Sequence, residues 1–273
     1  MKLFKSFALA LALLTAVCAS AQSDKPLKIG VQTWTLRNLD FNQVVEFAAK
    51  HKLKYLQLIS KHIDPMKATP EEIKEKKAIF EKHGLVPYTF GVAATFPEKE
   101  QNRKLFEFAK AMGIKLIIVE PNDFKILDHL EALAKEYDVR VAIHNHGIKS
   151  IYGNPVVVKA LLKHRDPRMG VCLDAGWIAS ARLDPSKVYE EYQGRVFDIH
   201  LKDKKVHSTE RGDVATDVFI GQGDANIAKL LKTVSASGYD GVLAIETDND
   251  LKDPTQHIEN AWAFLKEQGA KTE

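Results

Sequence analysis

The stretch Arg140–His146, RVAIHNH, alternates in character: Val141 and Ile143 are bulky aliphatics, whereas Ala142, His144 and His146 are small or polar. Successive side chains of a β-strand point to opposite faces, so the stretch predicts a strand with one apolar face and one face ending in two imidazoles. Seven further runs have the same character. They are KIGVQTWTL from Lys28, YLQLIS from Tyr55, VPYTFGVA from Val86, LIIVE from Leu116, MGVCLDAG from Met169, VFDIHLKD from Val196 and VLAIETD from Val242. Helical segments such as FNQVVEFAAKHK, PEEIKEKKAIFEKHG and DHLEALAKEYD lie between them, and several open on Asp, Thr or Pro and close on Gly or Asn. Strand followed by helix, eight times over, predicts an α/β fold whose parallel sheet closes on itself, a (β/α)8 TIM barrel. The spacing departs from one β/α unit only between the seventh and eighth runs, where KKVHSTERGDVATDVFIGQGDANIAKLL predicts an added loop over the barrel mouth.

Reading alternation in each run assigns faces. Gly30, Gln32 and Trp34 oppose Ile29 and Val31; Ile118 and Glu120 share a face; Gly170, Cys172 and Asp174 oppose Val171 and Leu173. In the seventh run Asp198, His200 and Lys202 oppose Phe197, Ile199 and Leu201, and in the eighth Ala244, Glu246 and Asp248 oppose Leu243 and Ile245. An unpartnered carboxylate or imidazole against an apolar helix layer costs several kcal/mol, so the polar face must line the barrel. The polar residues also fall late in each run, at the carboxyl ends of the strands, where such barrels place their chemistry. His144, Asp174, His200 and Glu246 therefore converge on one mouth. An N/O donor set of this kind suits Mn²⁺, Zn²⁺, Co²⁺ or Mg²⁺.

Composition bounds the rest. Of 273 residues 45% are hydrophobic, enough for one sizeable core, and no low-complexity linker interrupts the series. Lys2 and Lys5, an apolar run from Phe7 to Val17 and then Ala19-Ser20-Ala21 read as a signal peptide over residues 1–21, with a single barrel domain over 22–273. The apolar run is shorter than the roughly 20 residues of a spanning helix, so the expectation is export to the periplasm or medium, with no membrane attachment after cleavage. Cleavage removes Cys18 and leaves Cys172 as the one thiol, and loss of the two lysines lowers the formal charge from +3 to +1. With no basic stripe, the chain lacks the marks of a nucleic-acid surface; homo-oligomer formation stays open.

At the candidate donors the chain resembles the sugar phosphate isomerase/epimerase family, the xylose-isomerase-like barrels related to inosose dehydratases, hydroxypyruvate isomerase and the ketose 3-epimerases. The resemblance rests on CLDAGW around Asp174, DIHLKD around His200 and AIET around Glu246. It implies one divalent ion held by a glutamate, an aspartate, a histidine and a second glutamate. Here Asp174, His200 and Glu246 match, and His144 takes the first glutamate's place. In the epimerases the two glutamates are the acid/base pair, and His144 cannot supply that carboxylate.

The resemblance further implies removal of a proton next to a carbonyl through an enediolate, as a metal-dependent isomerase or epimerase of a non-phosphorylated carbohydrate. Beta-elimination by a 3-keto-glycoside lyase or hydratase is the alternative that the His144 replacement favours, and a sugar-binding barrel without turnover is a third reading. Besides Glu246, the candidate catalytic residues are Glu120, Lys202 and His146. Candidates for substrate contact are Gln32, Trp34, His62 and Trp177, with Phe90 and Tyr152 as further aromatic walls. GQGD, Gly221 to Asp224, reads as a loop turn rather than a phosphate cradle.

Overall fold

A computed structural model describes residues 25–192 and 194–273, so the expected signal peptide at 1–21 lies outside the described residues. The strands that form the barrel are β1 (Lys28–Gln32), β2 (Tyr55–Leu58), β3 (Val86–Ala93), β4 (Leu116–Val119), β5 (Arg140–His144), β6 (Met169–Asp174), β7 (Val196–Leu201) and β10 (Val242–Ile245). They pair in parallel around a closed ring in the order β1-β10-β7-β6-β5-β4-β3-β2. Each of the eight runs read from the sequence supplies one stave.

Around the ring stand α1 (Phe41–Lys50), α2 (Pro70–Lys82), α3 (Lys99–Met112), α4 (Ile126–Tyr137), α5 (Pro155–Leu162), α6 (Ala175–Ser180), α7 (Pro185–Glu191), α8 (Ile227–Ala236) and α9 (Thr255–Glu267). Their starts follow local chemistry. Asp40 and Gln43 form a capping box on α1, Thr69 caps α2 ahead of Pro70, and Asn154, Asp184 and Asn226 accept amide protons at α5, α7 and α8. Among the described residues, no helix is long and apolar enough to cross a membrane.

Alternation sorts the strand residues as expected. Ile29, Val31, Val141, Ile143, Val171, Leu173, Ile199, Leu201, Leu243 and Ile245 are fully buried in the layer between sheet and helices. Leu116, Ile118, Ala142 and Cys172 form a separate small cluster inside the barrel. Phe197 belongs to that inner cluster, which corrects its sequence assignment to the outer face. The cause is a bulge: pairing steps from Val171 opposite Val196 to Cys172 opposite Asp198, so both Phe197 and Asp198 turn inward. Gly170 makes room, since a Cβ there would lie 2.4 Å from the Phe197 ring.

The expected loop after the seventh stave is an ordered hairpin, β8 (Asp203–Thr209) paired antiparallel with β9 (Gly212–Val218) and packed on α6. Its base is tied to the barrel by the buried Lys204–Asp217 ion pair and by Asp217 Oδ2, which accepts the Thr247 hydroxyl at 2.9 Å and the Asp248 amide at 2.6 Å. The GQGD turn wraps the Asp203 carboxylate, which accepts amides of Gly221, Gly223 and Ala225 at 2.9, 2.9 and 3.1 Å. The chain's own anion thus fills the turn.

Candidate metal centre

Asp174 shows how the fold prepares the site. It ends β6 and caps α6: one oxygen, Oδ1, accepts the Trp177 amide at 2.9 Å, which turns the other, Oδ2, into the barrel mouth. His144 at the end of β5, His200 near the end of β7 and Glu246 just after β10 stand around it, and all four are at most 5% exposed. His144 Nε2 is 3.2 Å from His200 Nδ1 and 3.5 Å from Asp174 Oδ2. His200 Nδ1 is in turn 3.6 Å from Asp174 Oδ2 and 3.1 Å from Glu246 Oε2.

These separations fit a metal. Donors about 2.1 Å from one ion lie about 3.4 Å apart at tetrahedral angles and about 3.0 Å apart at right angles. All four donor atoms lie within 4.8 Å of one another, and neither Asp174 Oδ2 nor Glu246 Oε2 accepts an aligned hydrogen bond despite full burial. Buried acceptors without an aligned hydrogen bond are uncommon; the Lys202 ammonium balances their charge from one side, and a cation among the four donors would bond both.

Lys202 supplies the local counter-charge. Its ammonium is 2.9 Å from Glu246 Oε2, 3.4 Å from Asp174 Oδ2 and 3.0 Å from Asp248 Oδ2, with the side chain 1% exposed. Burial pushes the Asp174 and Glu246 carboxyls up, but Lys202 and the neighbouring imidazoles outweigh it and hold both below the usual carboxylate range. Lys202 is therefore enclosed among acids, away from the open cavity where the sequence reading placed it against substrate.

Glu120 stands behind His144. Its Oε2 is 3.5 Å from His144 Nδ1 and bonds His146 Nδ1, while Oε1 accepts the Ser150 hydroxyl at 2.5 Å. Burial raises its carboxyl, yet the neighbouring His144, His146 and Ser150 side chains win and keep it well below its ordinary value. Glu120 thus stands behind the His144 ring without an aligned hydrogen bond to its Nδ1, and its carboxylate is bonded to His146 and Ser150. Asn145 splints the ends of β5 and β6: its Oδ1 accepts the Asp174 amide at 3.0 Å and its Nδ2 donates to the Asp174 carbonyl at 3.3 Å.

Over the donors lies a cavity of about 280 Å³ whose walls include Gln32, Trp34, His144, His146, His200 and Glu246. Its size suits one sugar-like ring. Trp177 is not part of that wall; its ring lies 3.9 Å below Lys204 Nζ and edge-on to His146. Phe90 and Tyr152 are buried against Phe108 and Phe124, so neither is a wall. Gln57, between Leu56 and Leu58, and Asn145, between His144 and His146, escaped the sequence reading because a neutral amide carries no charge signal.

His62 also stands away from the cavity walls, bonded to Thr33 Oγ1 at 3.2 Å and to the Leu39 carbonyl at 3.3 Å. Burial pushes its imidazole down to about 4, only partly offset by the Leu39 bond. The unfolded chain takes up this proton near pH 6.5 and the folded chain only near 4, so the stability present at neutral pH is lost as pH falls through that window. About 2 kcal/mol is lost by pH 5. Denaturant melts at pH 7 and pH 5 are expected to differ less in His62→Gln than in the parent by that amount; an equal difference refutes the assignment.

Known proteins share the barrel fold. The family described as xylose isomerase-like TIM barrel matches residues 45–268. The inosose dehydratase of Clostridium perfringens (strain 13 / Type A) is 25% identical over 222 residues, covering 65% of this chain and 74% of its own. A crystal structure of an uncharacterized protein from Parabacteroides distasonis ATCC 8503 is 30% identical with a TM-score of 0.69, over 88% of this chain and 98% of that one. The IOLI protein, crystallised with a bound zinc atom, shares the fold at 16% identity and a TM-score of 0.69, over 90% of this chain and 99% of its own. With the closed eight-stranded barrel and a donor cluster able to hold a divalent ion at its carboxyl-terminal mouth, the chain belongs to the xylose isomerase-like TIM barrel family.

Proposed function

We propose that this protein takes the proton next to the carbonyl of a non-phosphorylated keto-sugar or keto-cyclitol and then expels the neighbouring oxygen substituent, as a metal-dependent carbon–oxygen lyase. The observation that carries the reading is the convergence of His144, Asp174, His200 and Glu246 beneath a ring-sized cavity. A divalent ion held there would polarise the carbonyl and stabilise the negative charge that develops on its oxygen.

The chain's own groups do the proton work. Glu246 lines the cavity and takes the carbon-bound proton. His146 has Nδ1 committed to Glu120, which leaves Nε2 as the nitrogen free to act at the cavity wall. A carboxylate that orients one imidazole nitrogen while the other faces substrate is a recurring general acid/base arrangement. His146 then protonates the departing oxygen as the carbon–oxygen bond breaks and a double bond forms in the ring. The inosose dehydratase relative, named for the same kind of elimination, supports this outcome.

Isomerisation or epimerisation is the second reading, favoured by the same pair: a proton returned by His146 to the other face or a neighbouring carbon gives those products. The turn around Asp203 supports a substrate without phosphate, because its amides are already taken. Export, as the Lys2-to-Ala21 segment implies, would agree, since phosphorylated sugars are kept inside cells.

Incubation of metal-loaded protein in D₂O with free ketoses, inososes and 3-keto-glucosides, followed by NMR and ultraviolet absorbance, tests the proposal. A conjugated enone and a released oxygen substituent are expected. Deuterium entering an intact sugar would transfer the assignment to an isomerase or epimerase, and no exchange with any of them would leave a binding barrel.

A further inference from the structure

We infer that Gln57 is a positioning residue that holds His200 with its proton on Nε2, so that Nδ1 is the nitrogen presented to the metal; this rests on the metal reading above. Gln57 lies on β2, which contributes none of the four donors, and is fully buried. Its Nε2 donates to the Gly91 carbonyl at 2.9 Å, and its Oε1 is 2.9 Å from His200 Nε2.

The hydrogen-bond inventory leaves one consistent assignment. A carboxamide that spends its NH₂ on a carbonyl offers only lone pairs at its oxygen, so His200 Nε2 must donate. Flipping the amide would bring its oxygen against the Gly91 carbonyl, two acceptors face to face. Asp198 Oδ2, 3.5 Å from the same ring nitrogen, asks for the same proton. A neutral imidazole protonated at Nε2 has its lone pair on Nδ1, the atom that faces His144 Nε2, Glu246 Oε2 and Asp174 Oδ2. His144 is set the opposite way round, with Nε2 toward the donors and Nδ1 toward Glu120.

Gln57 is itself held from both sides. Its backbone carbonyl accepts the Thr33 amide at 3.1 Å and the Thr33 hydroxyl at 2.8 Å, which locks the end of β2 to the chain leaving β1. A partner behind a ligating histidine typically contributes 10- to 100-fold to metal affinity.

The test uses the full chain with Gln57→Leu and Gln57→Glu, plus Gln57→Asn, too short to reach His200, should the leucine variant fail to fold. Zinc and manganese affinities are measured by competition with a chelator, and ring-proton and ¹⁵N NMR of the metal-free protein report the His200 Nε2–H bond. Affinity is expected to fall 10- to 100-fold in the Leu or Asn variant, with the Nε2–H resonance moving upfield. The Glu variant keeps an acceptor for His200 and can meet the Gly91 carbonyl only as a protonated carboxyl; in that form it is expected to retain both affinity and the downfield resonance. A parent His200 without a proton on Nε2, or affinity unchanged within twofold in the Leu or Asn variant, would overturn the inference. A parent protein that binds neither metal would refute the metal reading instead, while the NMR measurement still decides the part played by Gln57.

Discussion

Replacing His200 by alanine is expected to leave a folded barrel that retains no stoichiometric metal and turns over at least about a thousandfold more slowly. His200 is the hub of the donor set: its Nδ1 is within 3.6 Å of the donor atoms of His144, Asp174 and Glu246 alike. Losing it leaves three donors and removes the ring that Gln57 and Asp198 support. The loss of rate follows from magnitudes, since stabilisation of a developing oxyanion is worth several kcal/mol and each 1.36 kcal/mol is a factor of ten. The fold should survive because its main apolar layer lies between sheet and helices, on the other side of the strand. Elemental analysis after dialysis, with the exposed His83→Ala as control, reads the first effect, and deuterium exchange into substrate reads the second. Stoichiometric metal still bound to the His200 variant would remove His200 from the donor set.

Much of this architecture is legible in the sequence because two periodicities are strong. Alternation in RVAIHNH and VLAIETD puts aliphatic residues on the helix side, and the polar residues left over can only face the mouth. The same rule failed at Phe197, where a bulge inserts one residue and no composition signal announces it. The hairpin from Asp203 to Val218 looks like a loop in the sequence because its exposed polar residues give no apolar alternation; its order comes from pairing and from Lys204–Asp217 at the base. The sequence offers His62, and Trp177 as an aromatic near a strand end, as substrate contacts. Their surroundings, Leu39 and Thr33 for one and Lys204 and His146 for the other, are set by loops whose path no local pattern encodes. Gln57 sits where a side chain of the second stave meets one of the seventh, a relation between strands that no single run displays.

Lys202→Met is expected to destabilise the metal-free protein by about 3–5 kcal/mol and to make that loss recoverable by added divalent metal. The ammonium is the cation nearest to Glu246 Oε2 and Asp174 Oδ2, at 2.9 and 3.4 Å, in a region with almost no solvent. Removing one partner of a buried ion pair strands the other charge, which is why such truncations cost far more than the pair itself contributes. Methionine keeps the stem that packs over Gly176, where a Cβ would already be 2.7 Å from Lys202 Cγ, so the effect measured is that of the charge. A divalent ion among the same oxygens supplies the missing compensation, and in the parent it must share them with an ammonium that repels it. The rise in melting temperature on adding metal should therefore be larger in the variant than in the parent, in proportion to the logarithm of metal concentration over Kd. Equal metal-free stability in the two proteins, or an equal rise on adding metal, would mean that Asp174 and Glu246 do not depend on Lys202 for neutralisation and that their oxygens are not aimed at a common cation.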